Sequence, residues 1–499
     1  MKLPLADSDI RQTVTALIDG APVRGGGAEI PVFYPATGGR VATLIEDGAA
    51  DIDRAVAAAR RAFDHGPWPH LGVEERQDRL CRFSEVIEDN IPLLAGLECF
   101  DTGKPMRDLL TRYLKRTAHC FRFFADYIGQ SSGVVYDQVK GYRTVVAREP
   151  IGVAALLAPW NSPISLGSMK VAAALAFGNT CVLKPSEQTP MALVRLVELL
   201  HEAGLPEGAV NVVNGRGPVT GAALVAHPDV DLISFTGGTE TGRAIMAAAA
   251  RNLIPCMTEL GGKSANIVFA SADLDQALDG ALLGIYTNAG QQCLAGSRIL
   301  VERPVFDAFV ARFAERAERI RIGDPTDDAT EMGPVASEAH MKHVLSYAGL
   351  AREEGGRLVA GGVRDESLGN GYFVRPTAVV APSNDTRVAQ EEIFGPFATF
   401  LPFDGVEEAV AIANGTDFGL MSYVWSDHLP TVNAVVPRLR SGGIMVNATM
   451  MRDLRAPFGG FKESGVGREG GEACERFYTH EKFVSTRLAP GPLRQLGAA

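Results

Sequence analysis

Between residues 151 and 249 short apolar runs alternate with stretches of helical periodicity, and this alternation restricts the fold more than any other feature of the chain. Residues 151–158 read as a buried strand that turns at Pro159 and leads into a helix over 166–176. Further strands are predicted at 180–183, 210–213, 232–235 and 254–258, separated by helices at 191–202, 217–226 and 240–249. Apolar runs this short, bounded by turn residues, suit strands covered on both faces. Strands that alternate with helices predict a parallel, doubly wound sheet, the architecture that binds dinucleotides outside its strand ends.

Beyond Gly262 a second series begins, with a strand at 265–269, a helix over 273–286, a turn around Cys293 and a strand at 299–301. It predicts a separate α/β domain whose cysteine faces the first across a cleft, since ligands commonly bind where domains meet. The chain opens with a short β-rich segment at 14–18 and helical spacing over 51–63 and 74–100. Segments 133–148 and 477–487 fit neither series and look like strands with exposed alternation, while 490–499 reads as a loose tail.

A chain of 499 residues is too long for one simple core and predicts two or three domains. Its formal charge of -11 argues against a nucleic-acid partner, because its basic stretches, 112–122 and 438–440, are short enough to be solvated helix faces. The longest apolar runs, 171–177 and 151–159, fall well short of the ~20 residues that span a bilayer, so no membrane association is expected. The 7 cysteines are odd in number and scattered, and no secretory pattern opens the chain, which predicts a cytoplasmic protein.

One of those cysteines stands apart. Cys293 lies in Gly290-Gln291-Gln292-Cys293-Leu294-Ala295-Gly296, with no second Cys or His at metal-ligand spacing, so no metal is expected and the thiol is available as a nucleophile. Glu259, in Met257-Thr258-Glu259-Leu260-Gly261-Gly262-Lys263, is a lone carboxylate in an otherwise uncharged run and a candidate general base. Asn161, in Pro159-Trp160-Asn161-Ser162-Pro163, offers an amide to stabilise an oxyanion, although by itself it reads equally as a turn residue. A thiol, a base and an amide donor are the parts needed for covalent chemistry on a carbonyl.

Pro159-Trp160-Asn161, Lys184-Pro185-Ser186-Glu187, Phe235-Thr236-Gly237-Gly238-Thr239, Glu259-Leu260-Gly261-Gly262-Lys263, Gly290-Gln291-Gln292-Cys293, Glu392-Ile393-Phe394-Gly395-Pro396 and Pro457-Phe458-Gly459-Gly460 occur in the order and approximate spacing of the aldehyde dehydrogenase superfamily, which the chain resembles over nearly its whole length. The resemblance implies an α/β fold with a Rossmann-like NAD-binding domain (1–130 and 150–261), a catalytic domain (262–460) and a small β arm (131–149 and 475–489) through which the chain forms a homodimer or homotetramer. It implies that Cys293 attacks an aldehyde, that Asn161 and the Cys293 backbone N–H hold the oxyanion, and that Glu259 activates water. Lys184 and Glu187 would meet the adenosine ribose, with Glu187 favouring NAD over NADP by repelling a 2′-phosphate. Gly237, Gly238 and Thr239 would open a helix toward the pyrophosphate, and Glu392 and Phe394 would hold the nicotinamide ribose and ring. Trp160, Ser186, Gly215, Phe235, Thr236, Gly242, Leu260 and Gly261 complete the implied cofactor set. Relatives usually carry Ser at position 238, so Gly238 lacks one hydroxyl contact.

Arg116 and Arg455 bear on the substrate. Together they resemble the hydroxymuconic, carboxymethyl-hydroxymuconic and aminomuconic semialdehyde dehydrogenases, which grip a carboxylate with arginines, a task that suits the bidentate guanidinium. The same arginines are as well placed for structural ion pairs with Asp108 and Asp453. Enzymes that pass the acyl group to CoA commonly lack the glutamate found at 259, so hydrolysis by water is the expected outcome.

Overall fold

The computed structural model of the protein describes residues 12–489, 491, 493 and 495–497. The first eleven residues, expected to belong to the NAD-binding segment, and part of the expected tail lie outside the described residues.

The first predicted series forms the middle of an eight-stranded sheet, in the spatial order Cys256–Glu259, Leu232–Thr236, Val153–Leu157, Thr180–Lys184 and Val210–Val212, all parallel. Gly465–Val466 adds antiparallel at one edge, and Ala16–Ile18 followed by Ala21–Val23 at the other. Every residue of Val153–Leu157, Thr180–Lys184 and Leu232–Thr236 is buried, which is why these strands read as apolar runs without alternation. Helices Pro163–Ala176 and Met191–Glu202 supply Ala172, Leu175, Leu193 and Leu196 to the core on one face, while Ala49–Asp64 and Thr239–Asn252 supply Ile52, Val56, Ile245 and Ala249 on the other. The chain runs outward from Val153–Leu157 in both directions, so the switch point lies beside that strand, where a crevice opens outside the carboxyl ends.

The second series forms a seven-stranded sheet, ordered Arg357–Ala360, Thr377–Val380, Phe397–Phe403, Arg298–Glu302, Ala265–Val268, Met421–Trp425 and Gly443–Val446, parallel except for the first. It has its own core around Ile267, Leu300, Phe313 and Phe400. Helix Leu274–Tyr286 is capped by the Asp273 side chain, which accepts hydrogen bonds from the N–H groups of Asp275 and Gln276, and it delivers the chain to the Cys293 loop.

The structure corrects several elements. The stretch of helical spacing over 74–100 is divided into two helices, Val73–Asp89 and Ile91–Thr102, because Pro92 cannot donate a helical hydrogen bond and sits in the first turn of a new helix. The stretch 217–226 begins with a wide π-type turn, Gly217–Gly221, and only then becomes the short helix Ala222–Ala226. Segment 133–148 is two strands, Val134–Tyr136 and Tyr142–Pro150, and Phe477 belongs to helix Gly471–Tyr478. Thr479–Arg487 pairs antiparallel along the whole of Tyr142–Pro150, so the expected two-stranded arm has three strands. No helix among the described residues is long and apolar enough to cross a membrane.

The C-terminal part of the chain returns to the first sheet. Asn179, fully buried, accepts a hydrogen bond from the Gly152 N–H at 3.0 Å and donates to the carbonyls of Ala174 at 3.3 Å and Tyr478 at 2.9 Å, joining the start of the central strand, the end of a helix and helix Gly471–Tyr478. Asn179→Ala removes the side-chain partner of the buried Gly152 N–H and Tyr478 carbonyl, while the Ala174 carbonyl keeps the Asn179 backbone N–H, and we expect denaturant unfolding to show a loss of about 2–4 kcal/mol. A loss under about 0.5 kcal/mol would show that the junction carries no load.

Candidate functional site

The carboxyl ends of the first sheet and the cysteine loop of the second enclose a cavity of about 170 Å³, walled by Trp160, Asn161, Thr236, Gly237, Gly238, Glu259, Leu260, Gly261, Cys293, Glu392 and Phe394 together with Pro159, Leu166 and His340. Asn161 follows strand Val153–Leu157, Thr236 ends its strand, and Glu259 is the last residue of Cys256–Glu259. Cys293 comes from the other sheet, just before Arg298–Glu302.

Two glycines allow this approach. A Cβ on Gly262 would collide with the carbonyl oxygen of Cys293, and one on Gly459 would stand 2.7 Å from Glu259 Oε1. The loop that carries Cys293 is itself unusual, because Asn288, Ala289 and Gly290 are consecutively left-handed, with φ of 55°, 51° and 71°. Non-glycine residues rarely adopt this conformation, and it is held by side chains here. Asn288 Nδ2 donates to the carbonyls of Asn161 and Gln291, at 3.0 and 3.1 Å, and Asn161 Nδ2 donates to Gln291 O at 2.9 Å. Asn161 and the cysteine loop are thus bonded directly, with one Asn161 N–H left for another acceptor.

The site is dry enough to shift its acids. Burial, reinforced by the charges of Glu392 and Glu259, pushes the Cys293 thiol up to about 12, while Arg452 works in the opposite direction. Glu259 is buried, and neither carboxyl oxygen has a hydrogen-bond partner among the described residues. Burial and then the charge of Glu469 raise its pKa well above the usual carboxylate range, against Lys170, Arg452 and Arg468. Glu392 accepts a hydrogen bond from the Gly262 N–H at 2.8 Å, and burial holds it at about 7.

Phe394, left-handed at φ 57°, packs edge-on to Trp160 at 5.3 Å. His340 closes this corner: its Nε2 lies 2.7 Å from Phe394 O and its ring meets Trp160 at 5.2 Å. The other expected cofactor residues lie on the same edge of the first sheet. Gly238 caps helix Thr239–Asn252, with open space where a Cβ would point, and Gly242 and Phe235 pack beneath. Thr236 Oγ1 is buried and has no partner among the described residues. Lys184, Ser186, Glu187 and Gly215 are outside the cavity wall: Lys184 ends strand Thr180–Lys184, Ser186 and Glu187 follow it, and Gly215 follows Val210–Val212; Lys184 Nζ donates to Pro185 O at 3.0 Å and lies 3.8 Å from Glu187. Among the described residues no group of three His, Cys, Asp or Glu side chains is arranged to hold a metal ion.

The two arginines singled out for the substrate line a different, larger cavity of about 570 Å³, shared with Arg112, His119, Phe123, Met450, Met451, Arg452, Asp453 and Leu454. Arg455 is largely exposed and forked onto Asp453, Nε to Oδ1 at 3.0 Å and Nη2 to Oδ2 at 2.6 Å, so it makes one of the two structural ion pairs considered. Arg116 makes no such pair with Asp108: it is largely buried, and burial together with the neighbouring charge of Arg452 lowers its pKa to about 10. Arg452 was not marked by the sequence. It stacks over Phe458 at 4.6 Å, lies 3.8 Å from Glu469, and adjoins the cluster that contains Cys293, so it stands between the two cavities. Lys170, Glu469, His340 and Leu166 were also missed, because each reads locally as an ordinary helix or loop residue.

A parallel sheet whose carboxyl ends carry a buried carboxylate and face a cysteine loop from a second sheet is an α/β arrangement suited to an oxidoreductase. The model of the aldehyde dehydrogenase family matches residues 23–484, and the chain belongs to that family and is an aldehyde dehydrogenase. It is 42% identical over 462 residues to the 2-hydroxymuconic semialdehyde dehydrogenase of Pseudomonas sp. (strain CF600), covering 91% of this chain and 95% of that one. It is 40% identical over 480 residues to the betaine aldehyde dehydrogenase of Bacillus subtilis (strain 168), covering 95% and 98%. An aldehyde dehydrogenase from Bacillus cereus, solved as an NAD+ complex, superposes with a TM-score of 0.93 at 39% identity over 96% of this chain and 97% of that chain.

With the Cys293 thiol at about 12, its thiolate fraction grows about tenfold per pH unit below that value. Iodoacetamide labelling of Cys293 without cofactor, followed by peptide mapping, should therefore accelerate about tenfold from pH 7 to 8 and again to 9. A rate that levels off below pH 8 would show a thiolate already formed.

Proposed function

We propose that this aldehyde dehydrogenase uses NAD in preference to NADP to oxidise a carboxylated semialdehyde to the acid, with Cys293, Glu259 and Asn161 as its catalytic residues. The observation that carries the chemistry is the cavity shared by these three residues, the implied nicotinamide residues Glu392 and Phe394, and Trp160. Several features suit the cofactor: the unpartnered hydroxyl of Thr236, the open helix N-terminus at Gly238, and the carboxylates of Glu392 and Glu187 available to ribose hydroxyls. NAD, when bound, supplies the hydride acceptor.

The chain's own residues do the rest. Glu259, whose raised pKa makes it a stronger base than an exposed carboxylate, takes the proton from the Cys293 thiol or from water. Cys293 Sγ adds to the aldehyde carbon, and the free N–H of Asn161 with the Cys293 backbone N–H receives the developing oxyanion; losing one such donor typically costs ~3–4 kcal/mol. After oxidation the acyl group is a thioester on Cys293, and Glu259 activates the water that cleaves it. A glutamate placed in this cavity supports water rather than CoA as the acyl acceptor.

The substrate class follows from charge. Arg116 has no hydrogen-bond or ion-pair partner among the described residues, and Arg112 and Arg452 line the same cavity, whose carboxylate, Asp453, is engaged by Arg455. Such a cavity attracts a carboxylate and repels a quaternary ammonium, which supports a substrate different from that of the relatives named for betaine aldehyde. Arg455, held on Asp453, contributes to the cavity's rim. We assign the same chain to a cytoplasmic homodimer or homotetramer, built through the three-stranded arm, whose Val134, Val135, Tyr136, Phe483 and Val484 are exposed.

Glu259→Gln should give a burst of NADH followed by a slow steady rate, since deacylation depends on the base more than hydride transfer does. Loss of the burst would move Glu259 to the first step alone. For the substrate, Arg116→Ala should raise KM for a carboxylated semialdehyde and lower its kcat/KM by a factor of ~10² or more, while a neutral aldehyde of similar size is little affected. Equal loss for both substrates would make Arg116 structural, and no loss for either would overturn the carboxylate reading.

A further inference from the structure

At the adenosine end of the first sheet, four charged side chains form two pairs. Lys184 faces Glu187 at 3.8 Å, while Arg216 forks onto Glu46, Nε to Oε1 at 2.9 Å and Nη2 to Oε2 at 2.6 Å, with the Arg216 backbone N–H donating to the same carboxylate at 3.0 Å. The two partners differ in freedom. Glu46 is 4% exposed and fastened by three donors, whereas the Arg216 side chain is 52% exposed, lies in Gly215-Arg216-Gly217, and has no partner for Nη1 among the described residues. The Lys184 side chain passes 3.6 Å from where a Cβ on Gly221 would stand, and its charge acts on Glu46, so the Arg216–Glu46 pair adjoins Lys184. Arg216 also feels the charge of Glu187, the residue assigned to the adenosine ribose.

We infer that Arg216 is a latent 2′-phosphate ligand and that Glu46 sets cofactor choice by holding it engaged. This rests on the assignment of Glu187 to the ribose and adds a second determinant to it. A guanidinium already neutralised by a bidentate carboxylate has little to offer a phosphate. Freed of that partner, its planar fork suits one. Selectivity against NADP then has two sources, the repulsion from Glu187 and the sequestration of Arg216.

The test is calorimetric titration of the full chain with NAD and with NADP, in the absence of aldehyde. Glu46→Gln keeps the side-chain volume and an acceptor for the Arg216 N–H but removes the charge. It should tighten NADP at least tenfold and leave NAD within about threefold, because charge-assisted bonds to phosphate are roughly twice as strong as neutral ones. Adding Arg216→Ala to Glu46→Gln should abolish the gain. Unchanged NADP affinity in Glu46→Gln, or a gain that survives loss of Arg216, overturns the inference. If Glu46→Gln does not fold, Glu46→Asp, which withdraws the carboxylate from the Arg216 fork by one methylene, decides: at least threefold tighter NADP binding with NAD unchanged supports the inference, and unchanged NADP affinity overturns it. Failure of the wild-type chain to bind either dinucleotide would instead remove the NAD reading itself.

Discussion

The site depends on the absence of side chains where the two sheets meet. Any residue with a Cβ at 262 would strike the carbonyl of Cys293, and one at 459 would crowd the carboxylate of Glu259. Because the backbones touch there, the thiol and the carboxylate end in one small cavity instead of on opposite banks of an open cleft. Close packing excludes water, and the exclusion produces the other properties of the site: a thiol at about 12, a carboxylate at 392 near 7, and Glu259 raised without a hydrogen-bond partner among the described residues.

Burying acids at this density requires nearby cations. Lys170 is buried with its amine 2.7 Å from Glu469 and 2.9 Å from Ser234, and Arg452 lies 3.8 Å from the other oxygen of Glu469. A buried pair of this kind adds little net stability, because desolvation offsets most of its Coulomb energy. Its value lies in the field it sets: Lys170 and Arg452 lower the cost of a charged Glu259, and Arg452 lowers that of a Cys293 thiolate, while Glu469 opposes the first of these. The protonation of Glu259 and Cys293, shifted first by burial, is therefore also adjusted by residues outside the motifs that contain them.

The cavities on either side of Arg452 differ in character. One is walled by aromatic rings, glycines and two carboxylates; the other is ringed by arginines. A substrate whose aldehyde reaches Cys293 while its far end carries a negative charge satisfies both. Relatives of this fold are named for substrates as different as 2-hydroxymuconic semialdehyde and betaine aldehyde, so the distinction lies in side chains rather than in the fold.

The sequence by itself determined the parallel sheets, because buried strands without alternation separated by helices have few other solutions, and its ordered motifs pointed to Cys293, Glu259 and Asn161, which one cavity brings together. It also placed the expected cofactor residues at strand ends, where the first sheet does present them. The helix break at Asn90, the three-stranded form of the arm and the wide turn before Ala222 depended on local backbone choices that periodicity resolves poorly. Only the tertiary structure shows which carboxylates the arginines meet: Arg455 has one two residues away and took it, whereas Asp108 pairs with Arg107 and not with Arg116. Arg452, His340, Lys170 and Glu469 reach the site from distant parts of the chain, and proximity in space leaves no periodic trace in a sequence.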